Sequence, residues 1–242
     1  MNQAAAQRHA GQDLIKWIAL ITMVLDHMRL VWLATSNLFV IGRLSFPFFC
    51  LALAINVSRT QPGDLFTRSN GRYLSLLVLF AALSEVCYQL ISTSGNYNVL
   101  VTLALGLLVA WGAQHKTLES LVLAGGALIA AYLLNDPLMY GFYGVLLPTA
   151  LLLAIRRPEY FALLPVVLCV VINARTGLWG RAVQLEPFAI LALLMAALAP
   201  LLGLALFWTS VPFKVPPVRQ WSYWFYPGHL LVLLGIRNWL WA

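Results

Sequence analysis

One apolar run, KWIALITMVLDHMRLVW (residues 16–32), carries Asp26, His27 and Arg29 within four positions. Ionisable groups in so apolar a setting are costly, so they bind ligands, move protons or pair with one another. At about 100° per residue, Thr22, Asp26 and Arg29 fall within one arc of a helix, and His27 projects to its side. Lys16 precedes His27 by eleven residues, about three turns, and shares its face. Other runs hold further polar groups: Arg43 in IGRLSFPFF, Glu85 in YLSLLVLFAALSEVCYQL, and Asn98 and Thr102 one turn apart in NVLVTLALG. Tyr143 opens a later run, and Tyr226 and His229 lie in WSYWFYPGHLLVLLGIR. Two histidines and a carboxylate at scattered positions do not make a metal signature, so no metal is expected. The bland alternative is that Asp26–Arg29 and Arg43–Glu85 are buried pairs that fix helix registry without chemistry. A separate cluster, VSRTQPGDLFTRSNGR, carries Arg59, Arg68 and Arg72, with Arg156 and Arg157 in another polar break. Such arginines either set topology and touch lipid headgroups or grip a phosphorylated donor.

The elements that position these residues follow from composition. Of 242 residues 62% are apolar and 10% charged, against roughly 25% charged in soluble domains. That excludes a soluble globule, a disordered chain and a secreted disulfide scaffold. The apolar runs are unbroken, where the strands of an outer-membrane barrel would alternate, so an all-α polytopic bundle is required. A crossing helix needs ~20 residues. Nine spans are expected, at 14–34, 39–57, 73–92, 97–113, 117–134, 140–155, 160–173, 182–207 and 221–241, forming one domain over 1–242. Residues 1–13 read as a cytoplasmic tail, and the first apolar run as a retained helix, because it carries charges and no small-residue cleavage site follows it.

The net charge of +7 reflects orientation and does not point to nucleic acid. With the N-terminus inside, Arg8, Lys16, Arg59, Arg68, Arg72, Lys116, Arg156, Arg157, Lys214 and Arg219 lie inside, against Arg175, Arg181 and Arg237 outside. The nine tryptophans, Trp241 among them, fall near span ends. The expected topology is therefore N-in, C-out. It brings Asp26, His27, Arg29, Arg43, Glu85, Asn98, Thr102, Tyr143, Tyr226 and His229 to one depth, in the middle or outer half of the bilayer. Cys50, Cys87 and Cys169 sit in apolar runs as small hydrophobes. His115, between Gln114 and Lys116, and His9 read as solvated.

LIKWIALITMVLDH, IGRLSFPFF, YLSLLVLFAALSEVCYQL, NYNVLVTLALG and YGFYGVLL together resemble the TraX family, over most of the chain and most clearly over residues 14–110. The resemblance implies a polytopic inner-membrane protein of bacterial conjugation that acetylates the N-terminus of an F-type pilin. It also places the chain among membrane acyltransferases. Their first helix carries Arg-x10-His, and Lys16-x10-His27 is similar to that pattern, keeping the charge but losing the bidentate geometry of arginine. Acetyl-CoA is then the expected donor, and a pilin or another membrane-embedded molecule the acceptor. Acetyl transfer needs a base and donors for the developing oxyanion. His27, with an unperturbed pKa near 6.5, is the expected base, Asp26 or Glu85 its orienting partner, and His229 the competing base. Arg43, Asn98 or Tyr143 would supply oxyanion donors, and Arg29, Thr102 and Tyr226 further substrate contacts. Lys16, Arg59, Arg68 and Arg72 would hold the donor. The competing classes are a proton-coupled transporter, for which no inverted repeat is visible, and a noncatalytic pilus-assembly protein.

Overall fold

The computed structural model describes residues 3–240, except the side chains of residues 3–9, 33, 175 and 176. Expectations for Arg8, His9, Arg175 and Trp241 lie outside that description. The described residues are mostly helical and contain no strand, only an isolated bridge between Tyr97 and Leu138. The helices are α1 (Gln3–Met28), α2 (Leu38–Gly42), α3 (Ser45–Ser58), α4 (Arg68–Ile91), α5 (Val99–His115) and α6 (Leu118–Leu133), then α7 (Gly141–Arg156), α8 (Pro158–Phe161), α9 (Leu164–Asn173), α10 (Trp179–Val183), α11 (Pro187–Trp208) and α12 (Trp221–Leu240). Leu38–Ser58, Arg68–Ile91 and Pro187–Trp208 are long and apolar enough to cross a membrane; α5, α6, α7 and residues 158–173 are apolar but shorter. The chain forms an all-α membrane bundle, and each segment expected to span carries helix.

Local chemistry sets the helix ends. Thr67 caps α4 by accepting from Asn70 N, Asn98 caps α5 by accepting from Leu100 N, and Thr117 and Ser120 cap α6 reciprocally. Helix α3 is apolar all round and buried on nearly every side, packed between α1, α5, α7 and α11. On α11 the buried stripe is mostly small, with Ala189, Ala192, Ala196, Ala199 and Gly203 beside Pro200 and Leu204, while Leu191, Leu194, Leu198 and Leu202 face outward. This inversion of the soluble pattern lets backbones approach closely. A Cβ at Gly203 would lie 2.7 Å from Leu51 Cδ2.

Two sets of contacts define the ends of the bundle. At the arginine end, Gln114 Nε2 donates to Thr60 O at 2.6 Å and Arg72 donates to Gln220 Oε1 at 3.1 Å. At the opposite end, Tyr97 N donates to Pro137 O at 2.7 Å and Arg237 donates to Leu90 O at 2.8 Å.

Several boundaries differ from expectation. Helix α1 starts at Gln3, so the presumed tail from residue 3 is helix. Its Ala-rich start favours helix, and Gln12, buried, donates to Asn56 Oδ1 at 2.6 Å. Helix α1 also stops at Met28 rather than 34, and the following turn carries the chain into α2. Residues 160–173 form a broken helix, α8 then α9, each with proline in its first turn. His115 is buried at the end of α5 instead of solvated. The three cysteines are free and buried, as expected.

Candidate functional site

Helices α1 and α12 carry the histidines into contact. His27 Nδ1 and His229 Nε2 lie 2.7 Å apart, in rings only 7° from parallel with centroids 5.0 Å apart. His229 Nδ1 lies 3.0 Å from Phe225 O. A carbonyl only accepts, so His229 Nδ1 carries a proton and its Nε2 is an acceptor. His27 Nδ1 must then donate, which leaves a lone pair on His27 Nε2. A neutral pair held this way presents one basic nitrogen, as a general base requires.

Asp26 does not orient His27, contrary to expectation; His229 has that place. The Asp26 carboxylate accepts from Arg29 Nε at 3.2 Å and pairs with Arg43 at 3.5 Å. Arg43 also donates to Asn173 Oδ1 at 3.0 Å and Phe39 O at 3.3 Å, and its guanidinium lies 3.8 Å from the Phe39 ring centroid. The close approach of α2 to α1 depends on Gly42, where a Cβ would lie 2.5 Å from Asp26 Cβ. Of the two registry pairs in the bland alternative, Asp26–Arg29 forms, whereas Arg43 pairs with Asp26 in place of Glu85.

Three cavities run in series beside these residues. The histidine chamber, about 560 Å³, is lined by Asp26, His27, Arg43, Tyr88, Tyr140 and Tyr226 among others. The middle chamber, about 530 Å³, is mainly aliphatic and aromatic, with Leu20, Leu53, Leu77, Leu103 and Tyr73 beside Lys16. The arginine chamber, about 540 Å³, holds Arg59, Arg68 and Arg72. Met23, Phe49, Val99 and Tyr226 line both the first and second chambers. Asn56, Tyr73, Gln220 and Tyr223 line both the second and third. Along α1, Lys16 and His27 are separated by ~16 Å at the rise of a helix. Lys16 also donates to Val218 O at 3.4 Å and lies 3.5 Å from Asp13, so it is part of the chamber wall.

The structure therefore gathers His27, Asp26, Arg29, Arg43 and Tyr226 at one chamber, with His229 against His27 but outside the chamber lining, and Arg59, Arg68 and Arg72 at another. It places four candidates elsewhere. Glu85 accepts from Asn98 N, Asn98 Nδ2 and Gln89 Nε2, at 2.9, 2.6 and 2.6 Å, and lines no chamber. Asn98 is its partner and the cap of α5. Thr102 is sealed between α5 and α7, its methyl against Gly144. Tyr143 is 41% exposed, on the outer face of α7. Tyr140, three residues earlier, is the tyrosine that lines the chamber, its ring stacked on Phe46 at 3.8 Å. Sequence reasoning also missed Tyr88 and Asn173, whose signal was a polar group inside an apolar run, and Arg219 and Gln220, whose signal was their place directly before α12.

No solved structure matches the chain. Over 49 residues it is 45% identical to Protein TraX of Escherichia coli and 47% identical to Protein TraX of Escherichia coli strain K12. Each match covers 20% of this chain and 20% of the relative, so the chain spans about a fifth of the curated relatives it matches. The sequence profile described as TraX protein matches residues 11–237, which takes in every residue of the three chambers, and the chain accordingly belongs to the TraX family.

Proposed function

We propose that the chain is an acetyltransferase of the bacterial inner membrane, moving acetyl from cytosolic acetyl-CoA to an amine or hydroxyl acceptor such as the N-terminal amine of a pilin. The observation that carries this reading is the series of three chambers, whose chemistry changes in the order that donor requires. Arg59, Arg68 and Arg72 suit the nucleotide phosphates, since guanidinium groups match phosphate geometry. The middle chamber, mostly apolar, suits the pantetheine arm. At the far end His27 Nε2 takes the acceptor's proton as the nucleophile attacks the thioester carbon, and returns it to the departing thiolate. His229 holds the imidazole in the tautomer that can do this. Asp26, tied to two arginines, keeps α1 and α2 in register around the chamber.

In this reading the arginine end faces the cytosol and the acceptor enters from the opposite end. Because the native cysteines are buried, single cysteines at the exposed positions 68 and 181 report topology cleanly. Position 68 should label from the cytosol and 181 from the periplasm.

The deciding experiment is binding of acetyl-CoA to the purified protein in detergent, followed by acetyl transfer to a peptide amine. Wild type should bind, and replacing Arg59, Arg68 and Arg72 together by Gln should weaken binding and remove its salt dependence. A proton-coupled transporter would use the same passage without a donor. Absence of acetyl-CoA binding by wild type would favour that class and end the acetyltransferase reading.

A further inference from the structure

We infer that Tyr226 is the oxyanion donor of the site, its phenolic O–H holding the thioester oxygen as negative charge develops there. The inference rests on the acyl-transfer reading and adds a residue and an atom to it. Acyl transfer through a tetrahedral intermediate requires a hydrogen-bond donor that is already in place and otherwise unoccupied. The donors expected from the sequence, and Tyr88, are occupied or absent from the chamber, which leaves Tyr140 as the rival of Tyr226. Arg43 is engaged by Asp26, Asn173 and Phe39 O. The Asn98 amide donates to Ala81 O at 2.7 Å and to Glu85. Tyr143 faces outward. The Tyr88 hydroxyl is paired with Ser94 Oγ at 3.0 Å.

Tyr226 differs from all of these. Its side chain is buried, at 5% exposure, and the Val99 N–H approaches its oxygen, yet its O–H has no acceptor among the described residues. Buried hydroxyls nearly always find a partner, and one without an acceptor that faces a cavity is ready for a ligand. Tyr226 lines both the histidine and the middle chambers, so a thioester arriving along the passage meets it at their junction. It lies one turn before His229 on α12, with ring centroids 5.6 Å apart, and its ring stands edge-on to His27 at 6.5 Å. Val99, the first residue of the 17-residue helix α5, lines the same junction and brings the positive end of that helix to it.

The step is balanced within donor and acceptor. The acceptor's lone pair forms a bond to the thioester carbon as its proton moves to His27 Nε2. The carbonyl π electrons pass to oxygen, where the Tyr226 O–H donates to them. Collapse of the intermediate restores the C=O bond and breaks the C–S bond, and the sulfur leaves with the proton from His27.

Tyr226→Phe removes one oxygen and keeps the shape. It should lower kcat by about 10²–10³-fold, as loss of one oxyanion donor does, with the Kd for acetyl-CoA and the Tm unchanged. A merely structural tyrosine would move Tm or Kd instead. A ring-fluorinated tyrosine at 226, nearly isosteric and more acidic, should shift kcat and leave KM unchanged. A Tyr226→Phe enzyme within about threefold of wild-type kcat, or a loss confined to KM, would overturn the assignment. So would Tyr140→Phe carrying the kcat loss in its place. Wild type that binds no acetyl-CoA would sink the acyl-transfer reading and this assignment with it, whereas active wild type with active Tyr226→Phe sinks the assignment alone.

Discussion

Glu85 and His27 are both ionisable residues in apolar helices, read from sequence as parts of one polar centre, and the structure gives them opposite surroundings. Glu85 accepts three hydrogen bonds, two of them from Asn98, and the Asn98 side chain in turn caps α5 through Leu100 N. Its contacts are complete within the protein, and they fix the short connection between α4 and α5. His27 is half of a pair whose hydrogen bonds all run in one direction, from His27 to His229 to Phe225 O, and that leaves one nitrogen over beside a cavity. Polarity within an apolar helix is common to the two clusters. What separates structure from chemistry is hydrogen-bonding capacity left over at a cavity wall.

Substitution should split the two clusters by what is lost. His27→Gln, which keeps hydrogen bonding without a titratable base, should lower acetyl transfer by about 10²–10⁴-fold with little change in Tm. His27→Ala should be as inactive while still inserting. If His229→Ala is dead and His27→Ala active, the roles of the two rings are exchanged. Glu85→Ala should act the other way. It leaves the Asn98 backbone N–H and one of its two amide hydrogens without their acceptor, the other staying on Ala81 O, at a cost of about 1–3 kcal/mol, seen as a lower Tm in detergent. Transfer per folded molecule should stay near wild type. An inactive but fully stable Glu85→Ala protein would break the comparison and return Glu85 to the site.

The sequence carried the helices and much of the site because both depend on period and composition. Unbroken apolar runs demanded helix, and alternating direction brought His27 and His229 to one depth without any knowledge of their contact. The contact itself depends on how α12 is rotated against α1, which side-chain packing decides. Rotation explains the other displacements too. On α7 the close-packed face is marked by Gly144, Val145 and Pro148, which turns Tyr143 outward and leaves Tyr140, before the first turn, facing in. Asp26 is adjacent to His27 in sequence, but neighbouring helical residues project about 100° apart, so it meets the arginines while His27 meets α12. The first thirteen residues read as a tail because they are polar, yet Gln12 bonds Asn56 within the bundle and the helix continues through them from residue 3.

A third carboxylate sets the lower bound of the comparison. Glu186, at the start of α11, is paired with Arg181 through both carboxylate oxygens, and Arg181 also lies 5.5 Å from the Phe188 ring centroid. The Arg181 hydrogen bonds hold the Glu186 carboxyl below its ordinary range. A group depressed in the folded state adds stability above its unfolded pKa and loses that contribution as pH falls through its folded value. The sign therefore favours the folded state at neutral pH, but both side chains are well exposed to solvent, and water and salt screen such a pair. Glu186→Gln should accordingly leave Tm at neutral pH unresolved from wild type. Any small deficit should vanish in acid, where wild type is protonated too, and in high salt. A clear loss of Tm from Glu186→Gln, equal to that from Glu85→Ala, would mean that counting hydrogen bonds to a carboxylate outweighs asking what those bonds hold in place.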